Sequence, residues 1–174
     1  MEYTFTLNYA LPADDCDHEA LVERLGTAGC TDALVGIGQQ CRIALEFGRE
    51  ADSSTDAVIS AMTDVKRAIP GASLIEATPD LVGLTDVADL VGMSRQNMRK
   101  LMLNNVTTFP VPVHEGAAGI WHLSDIFAWL QSKQRYDVEE PLVDIAKTLK
   151  QVNLAKRAAG LDPAMYRELS GLFA

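Results

Sequence analysis

The chain has 174 residues, 48% of them hydrophobic and 22% charged, with a formal net charge of −9. Those figures fit one domain or two small ones and exclude bulk disorder. No apolar run nears the roughly 18–20 residues of a membrane span, so no membrane partner is expected. The charge is uneven: residues 1–89 hold 16 acids and 5 bases, residues 90–174 hold 8 acids and 10 bases. Such a split points to separate jobs for the two halves.

Tyr3, Phe5, Leu7 and Tyr9 alternate with Glu2, Thr4, Thr6 and Asn8, the period of a half-buried strand. Pro12 and Asp14-Asp15 end it. Asp17 is placed to cap a helix carrying Leu21, Val22, Leu25 and Ala28, with Gly26 and Gly29 near its end. Residues 33–37 read as a short buried strand and Gly38-Gln39-Gln40 as a turn. Ile43, Leu45 and Phe47 alternate into a third strand. Val58, Met62, Val65 and Ile69 form one helical stripe, which Pro70-Gly71 stops. Leu74, Ile75 and Ala77 make a fourth strand before Pro79. The order β-α-β-β-α-β over residues 1–80 predicts an α+β, ferredoxin-like domain with four antiparallel strands and two helices on one face. A fold of this kind does not name its function. Dimerisation, a small-molecule effector and a protein partner are the roles open to it.

Residues 84–102 follow a different grammar. Thr85 can cap a short helix whose inner face is Val87, Ala88 and Val91. Gly92 supplies the left-handed residue of a tight corner, Met93 fills the space beneath it, and Ser94 caps the next helix. This is the pattern of a helix-turn-helix, with the second helix available for a DNA major groove. Met98, Leu101 and Met102 fall on its inner face; Gln96, Arg99, Lys100 and Leu103 fall opposite, with Arg95 at the flank. Gln pairs with adenine, Arg with guanine, and Lys mainly serves phosphate. No acid occurs between Asp89 and Glu115. Phe109-Pro110-Val111-Pro112-Val113 then reads as an extended arm and residues 114–119 as a hairpin tip. Ile120-Trp121-His122 returns as a strand, and Ser124 is placed to cap a third helix with Ile126, Phe127, Trp129 and Leu130.

Residues 84–133 resemble the AlpA-like, excisionase-type winged helix-turn-helix regulators, relatives of the MerR superfamily. The matching residues are Val87-Ala88 with Gly92-Met93-Ser94, Phe109-Pro110-x-Pro112, the glycine-containing wing, and Ile120-Trp121-x-x-Ser124-Asp125-Ile126-x-Ala128-Trp129-Leu130. The resemblance implies sequence-specific binding of double-stranded DNA by a transcriptional regulator. Members of that family commonly carry Lys or Arg in the wing; here the places hold Val111, Ala117, Ala118 and His122. A wing with little fixed charge makes few phosphate contacts.

Val138, Leu142, Ile145, Leu149 and Val152 recur at heptad spacing. That stripe suits either a dimer seam or a helix packed on its own domain. Asp162-Pro163 opens a last short helix with an apolar end. Residues 134–174 are thus a helical tail and a candidate dimerisation segment, after a winged helix-turn-helix over 81–133.

Cys16, Cys30 and Cys41 are an odd count without CxxC spacing. They are expected as free thiols in a reducing, cytoplasmic setting, and no secretory leader is read at the N-terminus. Cys16 and His18 lack the further ligands of a zinc site. His114 and His122 flank the wing and are candidates to face each other across it, as protonated phosphate contacts rather than metal ligands. No catalytic constellation stands out, so no enzyme, metal or cofactor is expected. The sequence therefore predicts a DNA-binding homodimer using Ser94, Arg95, Gln96, Asn97, Arg99, Lys100, His114 and His122. The alternative is a protein-interaction adaptor or ligand-sensing assembly module whose winged helix no longer binds DNA.

Overall fold

The computed structural model describes residues 1–133, 136 and 138–173. It is α+β. The elements run β1 (Glu2–Ala10), α1 (His18–Ala28), β2 (Ala33–Ile37), β3 (Arg42–Glu50), α2 (Ser54–Ala68), β4 (Ser73–Thr78), β5 (Leu81–Val82), α3 (Leu84–Leu90), α4 (Arg95–Leu103), β6 (Trp121–His122), α5 (Leu123–Ser132), α6 (Glu140–Ala158) and α7 (Pro163–Ser170).

Four strands form one antiparallel sheet in the order β2-β3-β1-β4. Its register sets Phe5 opposite Phe47 and Leu7 opposite Leu45, with the two phenyl rings stacked 5.4 Å apart. Strand alternation puts these side chains on one face. Leu21 and Leu25 of α1 and Ala57, Val58, Ala61 and Val65 of α2 cover that face. Asp17 and Ser53 cap the two helices, and Gly29 ends α1 at φ 110°. One expectation fails here. The apolar run at 33–37 is not a buried strand but the sheet edge, with Leu34 72% exposed. A continuous apolar run does not report how many neighbours a strand has.

A second core gathers Val82, Val87, Ala88, Met98, Phe109, Trp121, Phe127 and Leu130. Helix α6 belongs to both cores: Ile145 and Leu149 enter the first, Val143 and Ala146 the second. The heptad stripe is thereby covered within the chain, which removes α6 as a free dimer seam. The boundary expected at residue 134 lies outside the described residues. Helix α7 buries no residue, and Met165, Tyr166, Leu172 and Phe173 at the end of the chain are exposed.

A buried polar joint sits where the cores meet. Asn153 of α6 accepts from the Ala77 N–H (2.9 Å) and donates to the Ala77 carbonyl (2.7 Å) and to Asp80 (2.8 Å). Asp80, 1% exposed, also bonds Nδ1 of His122 at 2.6 Å. The Asp80 carbonyl accepts the Leu123 N–H at 2.7 Å. Three segments far apart in sequence thus satisfy one another's polar groups out of water, as burial demands.

The expectation of three free thiols is corrected. Cys16 and Cys41 form a disulfide. The loop before α1 and the β2–β3 turn meet at one end of the sheet, where the Leu11 N–H donates to the Cys41 carbonyl (2.9 Å). Sequence spacing carries no trace of that meeting. Cys30 is free and buried, and burial pushes its thiol up to about 11, so it stays protonated at neutral pH. Closing a loop of this length stabilises a fold by about 2–4 kcal/mol. Cys16→Ser is expected to lower the urea-unfolding free energy by that amount without reductant. With reductant, the variant and parent should nearly coincide; a gap that persists there would assign the effect to packing instead. No helix among the described residues is long and apolar enough to cross a membrane.

Candidate nucleic-acid interface

The corner between α3 and α4 is built as the sequence suggests, except at its first cap. The N-cap of α3 is Gly83, not Thr85; the Asp86 carboxylate accepts the Gly83 N–H at 2.7 Å. The Thr85 hydroxyl is left uncommitted to capping. Gly92 adopts φ 65°, the left-handed region in which a Cβ is strained. The chain then reverses, and the Met93 N–H donates back to the Ala88 carbonyl (2.7 Å). Ser94 caps α4 by accepting the Asn97 N–H at 3.2 Å. Met98 is fully buried, with Leu101 and Met102 half-buried beside it.

The outer side of α4 is polar and open. Ser94, Arg95, Gln96, Asn97, Arg99 and Lys100 are all exposed. Among the described residues, Arg95, Arg99 and Lys100 take part in no ion pair, whereas Arg24, Arg49, Arg67, Lys147 and Lys150 each have a carboxylate partner. Among the described residues these three uncommitted cations lie within six positions of one another, an electrostatic footprint suited to a polyanion.

The hairpin after α4 is shorter than the sequence suggests. The Phe109–Val113 arm meets the returning strand only near its tip: Val113 N–H donates to the Ile120 carbonyl (2.8 Å) and Ile120 N–H to the His114 carbonyl (3.0 Å). The strand β6 pairs instead with β5, setting Trp121 opposite Val82 and His122 opposite Leu81. Aromatic packing fixes the arm. The Trp121 indole N–H donates to the Pro110 carbonyl (2.9 Å), and Phe109 lies edge-on to both Trp121 and Trp129.

Two of the expected site residues part company here. His114 is exposed on the hairpin. His122 is 7% exposed and committed to Asp80, so it neither faces His114 nor reaches a phosphate. Its placement one residue after Trp121 on β6 turns it into the joint rather than outward. Ser124 does not cap α5 either. The N-cap is His122, and the buried Ser124 hydroxyl has no partner among the described residues. Cys16 is held in the disulfide and offers no thiolate to His18. No family model, curated protein or solved structure matches the chain.

Sequence reasoning missed several residues that shape this region. Gly119 folds so closely over Trp121 that a Cβ there would stand 2.4 Å from the indole ring. Its requirement for glycine is steric, not conformational. Beside the hairpin, Met102, Leu103, Val106, Val111 and Pro112 line an apolar groove of about 520 Å³, with Val111 83% exposed. The Pro-x-Pro spacing marked this arm as extended; nothing local marked it as an uncovered apolar surface.

Proposed function

We propose that the protein is a sequence-specific regulator of transcription that binds double-stranded DNA with α4 in the major groove. In this reading residues 1–80 are a ferredoxin-like domain and residues 81–133 a winged helix-turn-helix of the AlpA-like kind. The antiparallel order β2-β3-β1-β4 supports the first assignment. The Gly92 corner and the Ser94 cap support the second. The observation that carries the function is the outer side of α4, where Gln96 stands among three exposed cations that have no ion-pair partner among the described residues. The protein acts in the cytoplasm as a homodimer, and the uncovered apolar end after Gly160 is its self-association surface. The N-terminal domain holds an effector or a protein partner.

Selection from random duplexes at low salt tests the reading. The parent should enrich one motif. The double variant Arg99→Ala/Lys100→Ala should lose about 2–4 kcal/mol of affinity for it. A parent that enriches nothing removes the proposal. The adaptor reading then takes over, favoured by the apolar groove beside Val111, whose uncovered area is of the kind that marks protein contact sites.

A further inference from the structure

The outer side of α4 divides further when placed against its neighbours. At about 100° per residue, Gln96, Lys100 and Leu103 form its crest, roughly opposite the buried Met98. Arg95 and Arg99, one turn apart, lie off the crest on the flank shared with Met102. That flank faces the hairpin tip. Arg95, Arg99 and Met102 line a cleft of about 270 Å³ together with Ala117, Ala118 and Gly119 of the hairpin tip; Gly83, Leu84, Thr85 and Trp121 complete the lining.

Four features suit this cleft to a tetrahedral oxyanion. Its two guanidiniums have no carboxylate partner among the described residues. Like charges one helical turn apart repel, so a bound anion relieves a standing cost. The backbone N–H groups of Ala117, Ala118 and Gly119 donate to no acceptor among the described residues, and the absence of large side chains lets a ligand approach them. Asp86, the acid on the adjoining turn of α3, is occupied with the Gly83 N–H. Thr85, which also lines the cleft, carries a hydroxyl that can donate.

We infer that this cleft is a phosphate site, in which Arg95 and Arg99 grip a phosphate against the hairpin tip while the crest is left to read bases. The inference rests on the DNA-binding reading for its ligand source, since the same chemistry also suits a free phosphate-bearing molecule. It explains how a hairpin without Lys or Arg holds a backbone: the cations come from the helix and the hairpin supplies amides. Gly119 sets the width, because a Cβ there would push the tip off Trp121.

Two arms test it, both on the full chain. In the first, the isotope-labelled protein is titrated with inorganic phosphate and with pyrophosphate. The Ala118 and Gly119 amides and the Arg99 side-chain N–H should shift saturably. Arg99→Ala should abolish the amide shifts, and Lys147→Ala should leave them. Shifts spread evenly over exposed cations, or unaffected by Arg99→Ala, would overturn the site. In the second arm, Arg99→Ala should weaken binding alike for all duplex sequences and reduce the salt slope by about one. Gln96→Ala should instead relax the preference at one base pair. A protein that takes phosphate in the cleft but enriches no duplex keeps the site and loses the DNA reading. One whose preferred base changes on Arg99→Ala, at an unchanged salt slope, keeps the DNA reading and loses the site.

Discussion

Replacing Asp80 by alanine is expected to destabilise the fold by about 2–6 kcal/mol, because two buried side chains lose the acceptor they share. The carboxylate is the acceptor shared by His122 and Asn153, and all three side chains are buried. Without it, one N–H of Asn153 and Nδ1 of His122 lose their partner, and each such group costs about 1–3 kcal/mol. Because the joint ties β4 to α6 and to the start of α5, the loss should not stay local. Amide exchange should accelerate at Ala77 on one side and at Leu123 on the other. Asp80→Asn keeps the shape and one acceptor, and should cost clearly less. A loss under about 1 kcal/mol for Asp80→Ala would mean that packing of α6 alone holds the cores together.

The second large effect is expected at Arg49. Its guanidinium lies in the first core, with a bidentate pair of hydrogen bonds to Asp32 (2.7 and 3.0 Å), one to Asp64 (2.9 Å), one to Ser60 (3.1 Å) and a position 5.0 Å over the Phe47 ring. Arg49→Met keeps the stem and removes the charge. Asp32 then loses its cation, while Asp64 keeps only the exposed Arg67 at 3.3 Å; the cost should lie at the lower end of the range for an unpaired buried charge, about 3 kcal/mol at neutral pH. Exchanging all three residues for apolar ones of similar volume should restore most of that, since the pair's attraction largely offsets its own desolvation. The pH dependence follows from Asp32, whose carboxyl is held below its ordinary value chiefly by the hydrogen bonds from Arg49. A depressed carboxyl contributes stability above its unfolded value, near pH 4, and loses it as pH falls through the lower folded value. Denaturant midpoints should therefore drop for the parent below about pH 4, while the Arg49→Met variant, already without this contribution, should show a flatter acid limb. Parallel acid limbs would contradict the assignment.

Much of the first core was legible because it is periodic. Tyr3, Phe5, Leu7 and Tyr9 alternate, and every second residue is buried. The caps Asp17, Ser94 and Asp162 were legible because capping is a local event, settled within three residues. What escaped was long-range. Asp80 meets His122 at a separation of 42 residues and Asn153 at 73, and no local pattern encodes either meeting. The two-residue strand β5 has no period to detect, so nothing in the sequence marks it as the partner of β6. Arg49 continues the inward face of Ile43, Leu45 and Phe47, but no local pattern names Asp32 and Asp64, 17 and 15 residues away, as the groups that receive its charge there. At the candidate site, the helix wheel found the exposed polar side of α4 but not its division into crest and flank. That division depends on where the hairpin tip lies, and the tip is placed by Gly119 against Trp121.

In the proposed function α4 lies in the major groove of duplex DNA. Methylation protection tests it most directly, because guanine N7 is reached only from that groove. On the duplex enriched by the parent, guanines within the motif should be protected, and Gln96→Ala should change the preferred base at one position. An enriched duplex whose guanine N7 atoms stay fully reactive, and whose binding survives Arg99→Ala/Lys100→Ala, would contradict the account.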